Sequence, residues 1–256
     1  MRTATVRTAT VANEFAKMRH LRVGWFLGLL LIGVVAVTVF SWVSMIASAD
    51  TPAPDDHVWR SVLAGLGLAT TLLAPVLLAV LASRQVEIEH RGNGWILSAV
   101  SGATPGRLCR AKFLALGSLV VAVAIASCLL LVAFGLAAGA QAPVPVGRWL
   151  AYTASVAVVH LAVLAFHLLL SARVENQLVC LGVGVLGVLL GTFGAALPVW
   201  ARHLTPWGYY ALITPADYVG AELVYLDPHH TSVIALAVVG GGLFLVTTAR
   251  FDRQEA

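Results

Sequence analysis

Residues 23–49 read VGWFLGLLLIGVVAVTVFSWVSMIASA, 27 consecutive positions without an acidic or basic side chain. An α-helix rises about 1.5 Å per residue and the hydrocarbon core of a bilayer is about 30 Å thick, so roughly 20 such residues complete one crossing. Ala47-Ser48-Ala49 has the small-residue pattern of a signal-peptidase site, but the apolar core of a signal peptide runs only about 7–15 residues. The stretch is longer than that and reads as a retained first span. Trp25 and Trp42 stand 17 residues apart, about 26 Å along a helix, which puts one indole near each interface.

Working outward, five further uncharged runs follow at Ser61–Ser83, Phe113–Gly147, Trp149–Ala172, Asn176–Ala201 and Pro228–Ala249. The second of these has 35 residues, short of the roughly 40 that two helices and a turn require. Gln141, Pro143 and Pro145 near its end read as an exit loop, so it counts as one span. With 59% hydrophobic and 11% charged residues, the composition lies outside the soluble range, where about a quarter of residues are charged. Backbone amides in lipid must be satisfied within the segment, and unbroken apolar runs exclude the alternating pattern of a barrel. The predicted fold is all-α: a polytopic integral membrane protein with six transmembrane helices, at about 23–46, 61–83, 113–138, 149–172, 177–199 and 231–249.

The basic residues set the predicted orientation. With the N-terminus inside, 13 of the 16 lysines and arginines fall in cytoplasmic segments, leaving only Arg60, Arg148 and Arg202 outside. The Lys and Arg bias governs orientation, so both termini are expected in the cytoplasm of a bacterial cell, with the chain in the plasma membrane. The net charge of +4 then expresses topology and attraction to anionic membrane lipid, and no nucleic-acid partner is expected. Trp59, Trp149 and Trp200 fall at outer span ends and read as interfacial belt residues.

Residues 1–22 are expected to form a cytoplasmic tail and an amphipathic helix lying on the inner surface, with Val11, Phe15, Met18 and Leu21 as its apolar stripe. Residues 250–256 form a second cytoplasmic tail. Two longer connections break the pattern, and connections of such length usually carry function. Residues 84–112 form a cytoplasmic loop; residues 202–230 form an external segment rich in aromatic side chains, among them Trp207, Tyr209, Tyr210 and Tyr218.

Several motifs dissolve on inspection. Gly182, Gly184 and Gly187 have dinucleotide-loop spacing but lie inside a span, where Gly187-x-x-x-Gly191 reads as a helix-packing face. The two lysines, Lys17 and Lys112, follow no phosphate-loop frame, so no nucleotide hydrolysis, cofactor or metal is expected in this chain. His160 and His167, seven apart in the fourth span, share one helix face and read as pathway-lining or interhelical groups. Pro75 should bend the second span. Within 84–112, Glu87, Glu89 and Arg91 precede Gly94, Trp95, Ile96 and Leu97, a short helix around Asn93–Val100 whose apolar face no span uses. With Trp95 as its exposed knob, this helix points to a protein partner.

The layout resembles the type-2 ABC exporter permeases, within them the branch associated with lantibiotic and related antimicrobial-peptide export or immunity. The shared plan covers nearly the whole chain, and its local signature is Glu87-x-Glu89, Gly94-Trp95, Leu97 and Ala111-Lys112. The resemblance implies that the 84–112 segment carries a coupling helix which docks into a separate ATP-binding cassette subunit. ATP and Mg would be held by that partner. It also implies a second permease copy or a sister permease, and a re-entrant external segment capping the exit. The sparse polar lining of the spans favours an amphipathic or hydrophobic cargo such as a peptide, lipid or drug. Two alternatives from other classes remain open: a non-transporting membrane sensor or scaffold, and an intramembrane enzyme or haem protein using His160 or His167.

Overall fold

The computed structural model describes residues 2–47, 56–92, 94–100 and 102–254. In chain order the elements are α1 (Arg2–His20), α2 (Val23–Ala47), α3 (His57–Arg91), α4 (Gly94–Val100), α5 (Pro105–Ala137), α6 (Val146–Arg173), α7 (Gln177–Thr192) with a 3-10 turn at Phe193–Ala196, α8 (Val199–Arg202), α9 (Tyr209–Leu212), β1 (Ala216–Val219), β2 (Glu222–Tyr225) and α10 (His230–Gln254). Among the described residues six helices, α2, α3, α5, α6, α7 with its 3-10 extension, and α10, are long and apolar enough to cross a membrane. The fold is nearly all-α, as the uncharged runs predict.

Both described chain ends lie at one end of the bundle, because α1 meets the start of α5 and the last turns of α10 pack on the same place. We call this the termini end, and the opposite one, which carries the two strands, the hairpin end. α1 turns into α2 at Arg22, whose φ of 54° is a left-handed conformation uncommon outside glycine. Of the stripe expected on α1, Met18 is buried while Phe15 is exposed; Glu14 takes the inward position instead.

The connection between the second and third spans is mostly helix. α3 continues through the charged residues to Arg91 and α5 begins at Pro105, so α4 sits between two helical extensions rather than within a long loop. Residues 84–91 are largely good helix formers, and Glu87 pairs with Arg91 one turn later. Their charge ends the apolar run without ending the helix. Pro105 at the first helical position, after an extended Thr104, starts α5.

α3 is the central rod, packing on α2, α5, α6 and α7 and, toward the hairpin end, on both strands. Trp59 and Trp149 turn into the bundle instead of forming a belt. They meet edge to face at 6.3 Å, and Trp59 Nε1 donates to Ala142 O at 2.9 Å. Gly135 makes this possible, since a Cβ there would strike the Trp59 ring. Trp200 stays exposed. β1 and β2 pair antiparallel with Val219 opposite Glu222. The two-residue turn between them has positive φ at Gly220 alone, the II′ pattern that matches strand twist. The hairpin is clamped between α3 and α6: Arg60 donates to Leu223 O, Arg148 donates to Leu226 O, and both guanidiniums lie over the Tyr225 ring, at 5.4 and 4.4 Å.

Candidate functional site

At the termini end, residues far apart in sequence close into one buried ionic cluster. Glu14 comes from α1, Gln85 and Glu89 from α3, and Lys112 from two turns into α5. Lys112 Nζ donates to Glu14 Oε2 at 2.8 Å, to Glu89 Oε1 at 2.8 Å and to Gln85 O at 3.0 Å. Lys17 Nζ donates to Glu89 Oε1 at 2.7 Å and Glu14 Oε1 at 2.9 Å, and Gln85 Nε2 donates to Glu14 Oε2 at 2.9 Å. Glu14, Gln85, Glu89 and Lys112 are buried. Two carboxylates and two ammoniums balance, and they include both lysines of the chain. Burial works against the Lys17 ammonium, but its bonds to Glu89 and Glu14 outweigh that and hold its pKa above the ordinary 10.5. Removing one member of such a set strands a buried charge, so the cluster binds α1, α3 and α5 into one unit.

α4 rests on this unit. A Cβ at Gly94 would collide with the Glu89 carboxylate and come within 2.8 Å of its Cα, so only glycine allows the helix to start there. That close approach sets the rotation of α4 and turns Trp95 inward. The indole packs 5.8 Å from the His90 ring, edge to face, with Nε1 donating to His90 Nδ1 at 3.4 Å. His90 Nε2 in turn lies 2.9 Å from Ser171 O on α6. Trp95 is therefore half-buried and does not form the knob expected from the sequence. The exposed apolar residues are Leu97 at 66% and Val100 at 84% exposure, three apart and hence on one face. Asn93 and the Ile96 side chain lie outside the described residues. Glu87 and Arg91 pair with each other on another face of α3 from Glu89, since helical residues two positions apart in sequence are separated by about 200° of rotation.

A second contact ties α10 to α5. Arg110 donates to Asp252 Oδ2 at 2.8 Å and to Thr248 Oγ1 at 3.0 Å, and the Arg107 amide donates to Asp252 Oδ1 at 3.2 Å. Gly106 lets the helices touch, because a Cβ there would strike Thr248 O.

Deep in the bundle, the segment after α7 folds back between the helices. Trp207 lies edge to face with His167 at 5.8 Å and with Phe166 at 5.1 Å, and the Tyr210 ring lies 5.9 Å from His160. His160 is near the midpoint of the 28-residue α6 and His167 is two turns nearer the termini end, so the re-entrant segment reaches past the middle of the spans. Among the described residues, neither ring nitrogen of His160 or His167 has a hydrogen-bond partner, nor do Trp207 Nε1 and Tyr210 Oη. Gly187 accommodates the Trp207 indole, which a Cβ would strike, and Gly191 accommodates Thr71 of α3. These glycines therefore admit a side chain as well as a helix. Tyr209 is buried on the other side of the segment against His203 at 5.4 Å, while Tyr218 is exposed on β1 and joins none of these contacts. Two adjoining apolar grooves of about 430 and 390 Å³ run between α6 and α10, sharing Ala162, Ala165, Leu236, Gly240 and Phe244.

Sequence reading missed Glu14, Gln85 and His90. Glu14 carried a signal: it falls three residues from Val11 and four from Met18, within an apolar helical stripe.

The family model described as ABC-2 family transporter protein matches residues 10–194, more than two-thirds of the chain. The match begins just before Glu14, covers α4 and the ionic cluster, and ends before the re-entrant segment. No curated protein matches the chain. Six apolar helices and a family match over most of their length lead to one conclusion: the chain belongs to the ABC-2 transporter family, as a multi-pass membrane permease subunit of an ABC transporter.

Proposed function

We propose that the chain is the permease half of an ATP-driven exporter for an amphipathic or hydrophobic cargo, with α4 as the element that receives motion from the ATPase. The observation that carries this reading is the mounting of α4. Its outer face leaves Leu97 and Val100 exposed, while its inner face is fixed to α3 through Gly94 against Glu89 and Trp95 against His90. A push on the outer face passes into α3, a 35-residue helix of about 52 Å that runs to the hairpin end and bears on α7 through Thr71 against Gly191 and on the re-entrant segment through Gly67 against Pro215. ATP and Mg belong to the ATPase subunit in this scheme, and the permease itself performs no bond chemistry. A pore would be completed by a second copy or a sister permease.

The Lys and Arg distribution supports placing the termini end in the cytoplasm of a bacterial cell. The apolar grooves between α6 and α10 support a cargo with a large apolar surface, such as a peptide, lipid or drug; an antimicrobial peptide is the cargo that the sequence resemblance favours. The test is ATPase stimulation in liposomes containing the chain and its co-purified ATPase. Leu97→Asp and Val100→Asp should abolish stimulation by the permease while leaving the chain folded. Full stimulation by the double variant would remove α4 from the coupling role.

A further inference from the structure

We propose that the pocket bounded by the end of α1, the outer face of α3 and the start of α7 binds the phosphate headgroup of an anionic phospholipid. The pocket holds about 560 Å³ and is lined by Arg84, Arg91, Glu87 and Gln177, with Leu21 and Ile88 as apolar walls. Two of its lining residues bring a buried donor with no acceptor among the described residues, Arg84 Nε and Gln177 Nε2. A buried donor left without a partner calls for an explanation, and two on residues that line the same pocket are accounted for together by one bound acceptor.

The charge agrees. Arg84 and Arg91 contribute +2 and Glu87 contributes −1, a net +1, and Glu87 is already engaged by Arg91. The Arg84 guanidinium stacks over Phe26 of α2 at 5.4 Å, which holds it in place for a fork-shaped contact to phosphate oxygens. The level of the pocket selects the ligand. Trp25 at 75% exposure and Leu178 at 74% exposure mark where the apolar perimeter of α2 and α7 begins, immediately beside Leu21 and Gln177. The pocket therefore opens at headgroup depth, where lipid phosphate is the abundant anion. Leu21 and Ile88 are placed to meet the apolar part of the same molecule. The site does not depend on cargo or ATPase; only its assignment to the inner leaflet rests on the orientation proposed above.

The test is native mass spectrometry of the full chain in mild detergent, titrated with dioleoyl phosphatidylglycerol or with dioleoyl phosphatidylcholine, alongside thermal unfolding of each variant. The wild type should retain phosphatidylglycerol in preference to phosphatidylcholine. Arg84→Gln should weaken phosphatidylglycerol binding about tenfold, the scale of one hydrogen bond to a charged group, and Gln177→Leu should weaken it severalfold without disturbing the Phe26 stack. Glu87→Gln should strengthen it, an outcome that loss of packing cannot produce. Unchanged affinity in a folded Gln177→Leu and Arg84→Gln pair would overturn the site. So would an equal loss in Arg19→Gln, on the exposed side of α1, because it would show diffuse attraction. Displacement of the lipid by excess inorganic phosphate would overturn the lipid assignment in favour of a soluble phosphate.

Discussion

Lys112→Met removes one of the two ammoniums from the buried cluster and leaves Glu14 and Glu89 to share Lys17 alone. Three hydrogen bonds of 2.8–3.0 Å disappear, and a group of zero net charge acquires −1 in a place closed to water. Removing one partner of a buried ion pair costs about 3–5 kcal/mol, because the other charge stays behind. For a chain of this size each kcal/mol moves a thermal midpoint by about 2–4 °C, so the variant should melt roughly 6–20 °C below the wild type. The assay is tryptophan-detected thermal unfolding of the detergent-purified chain at neutral pH. Adding Glu14→Gln to Lys112→Met restores neutrality, and the double variant should be more stable than the sum of the single losses by about 1–3 kcal/mol. A midpoint for Lys112→Met indistinguishable from wild type, or strict additivity in the double variant, would refute the claim that these charges act as one buried unit.

Gly106→Ala should lower the thermal midpoint by the equivalent of about 1–3 kcal/mol, since its Cβ would strike Thr248 O; an unchanged midpoint would mean α10 does not hold to α5 there. Gly187→Val should destabilise by a similar amount through the Trp207 indole, whereas Gly182→Val on the same helix, which meets nothing within 4 Å, should stay within about 0.5 kcal/mol of wild type; equal effects would deny the re-entrant contact. Lys17 has a folded pKa raised above 10.5, so its contribution is fully present below the unfolded value and is lost as pH rises through the folded one. The stability gap between wild type and Lys17→Met should therefore hold constant from neutral pH to about 10 and shrink above that; a gap that widens in alkali would reverse the assignment.

The spans were legible because each is an unbroken apolar run, and run length is a one-dimensional property. The face on which a residue sits is not, and that is where the sequence reading parted from the structure. Treating residues 84–91 as loop grouped Glu87, Glu89 and Arg91 together. Once the helix is known to continue, Glu89 turns to the cluster while Glu87 and Arg91 turn to a different pocket. Trp95 was legible as unusual, but its direction depends on how closely Gly94 approaches Glu89, a contact no local pattern encodes. His160 and His167 could be placed on one face from their spacing of seven. That Trp207 and Tyr210 would meet them required the chain to fold back 40 and 50 residues after His167 and His160. The hairpin strands are four residues each, too short for alternation to stand out in a segment dominated by aromatic side chains.

The buried cluster also dictates an order of assembly during translation. Glu14 leaves the ribosome early, yet its partner Lys112 lies 98 residues further along, which at about 5–20 residues per second is about 5–20 s of synthesis. Until the third span has emerged, the N-terminal helix carries a carboxylate on its apolar side with only Lys17 to answer it, and it has no finished surface on which to settle. The surface on which α4 rests is thus completed only once the start of the third span has emerged, so a chain cut short before Lys112 lacks the support that holds α4 in place.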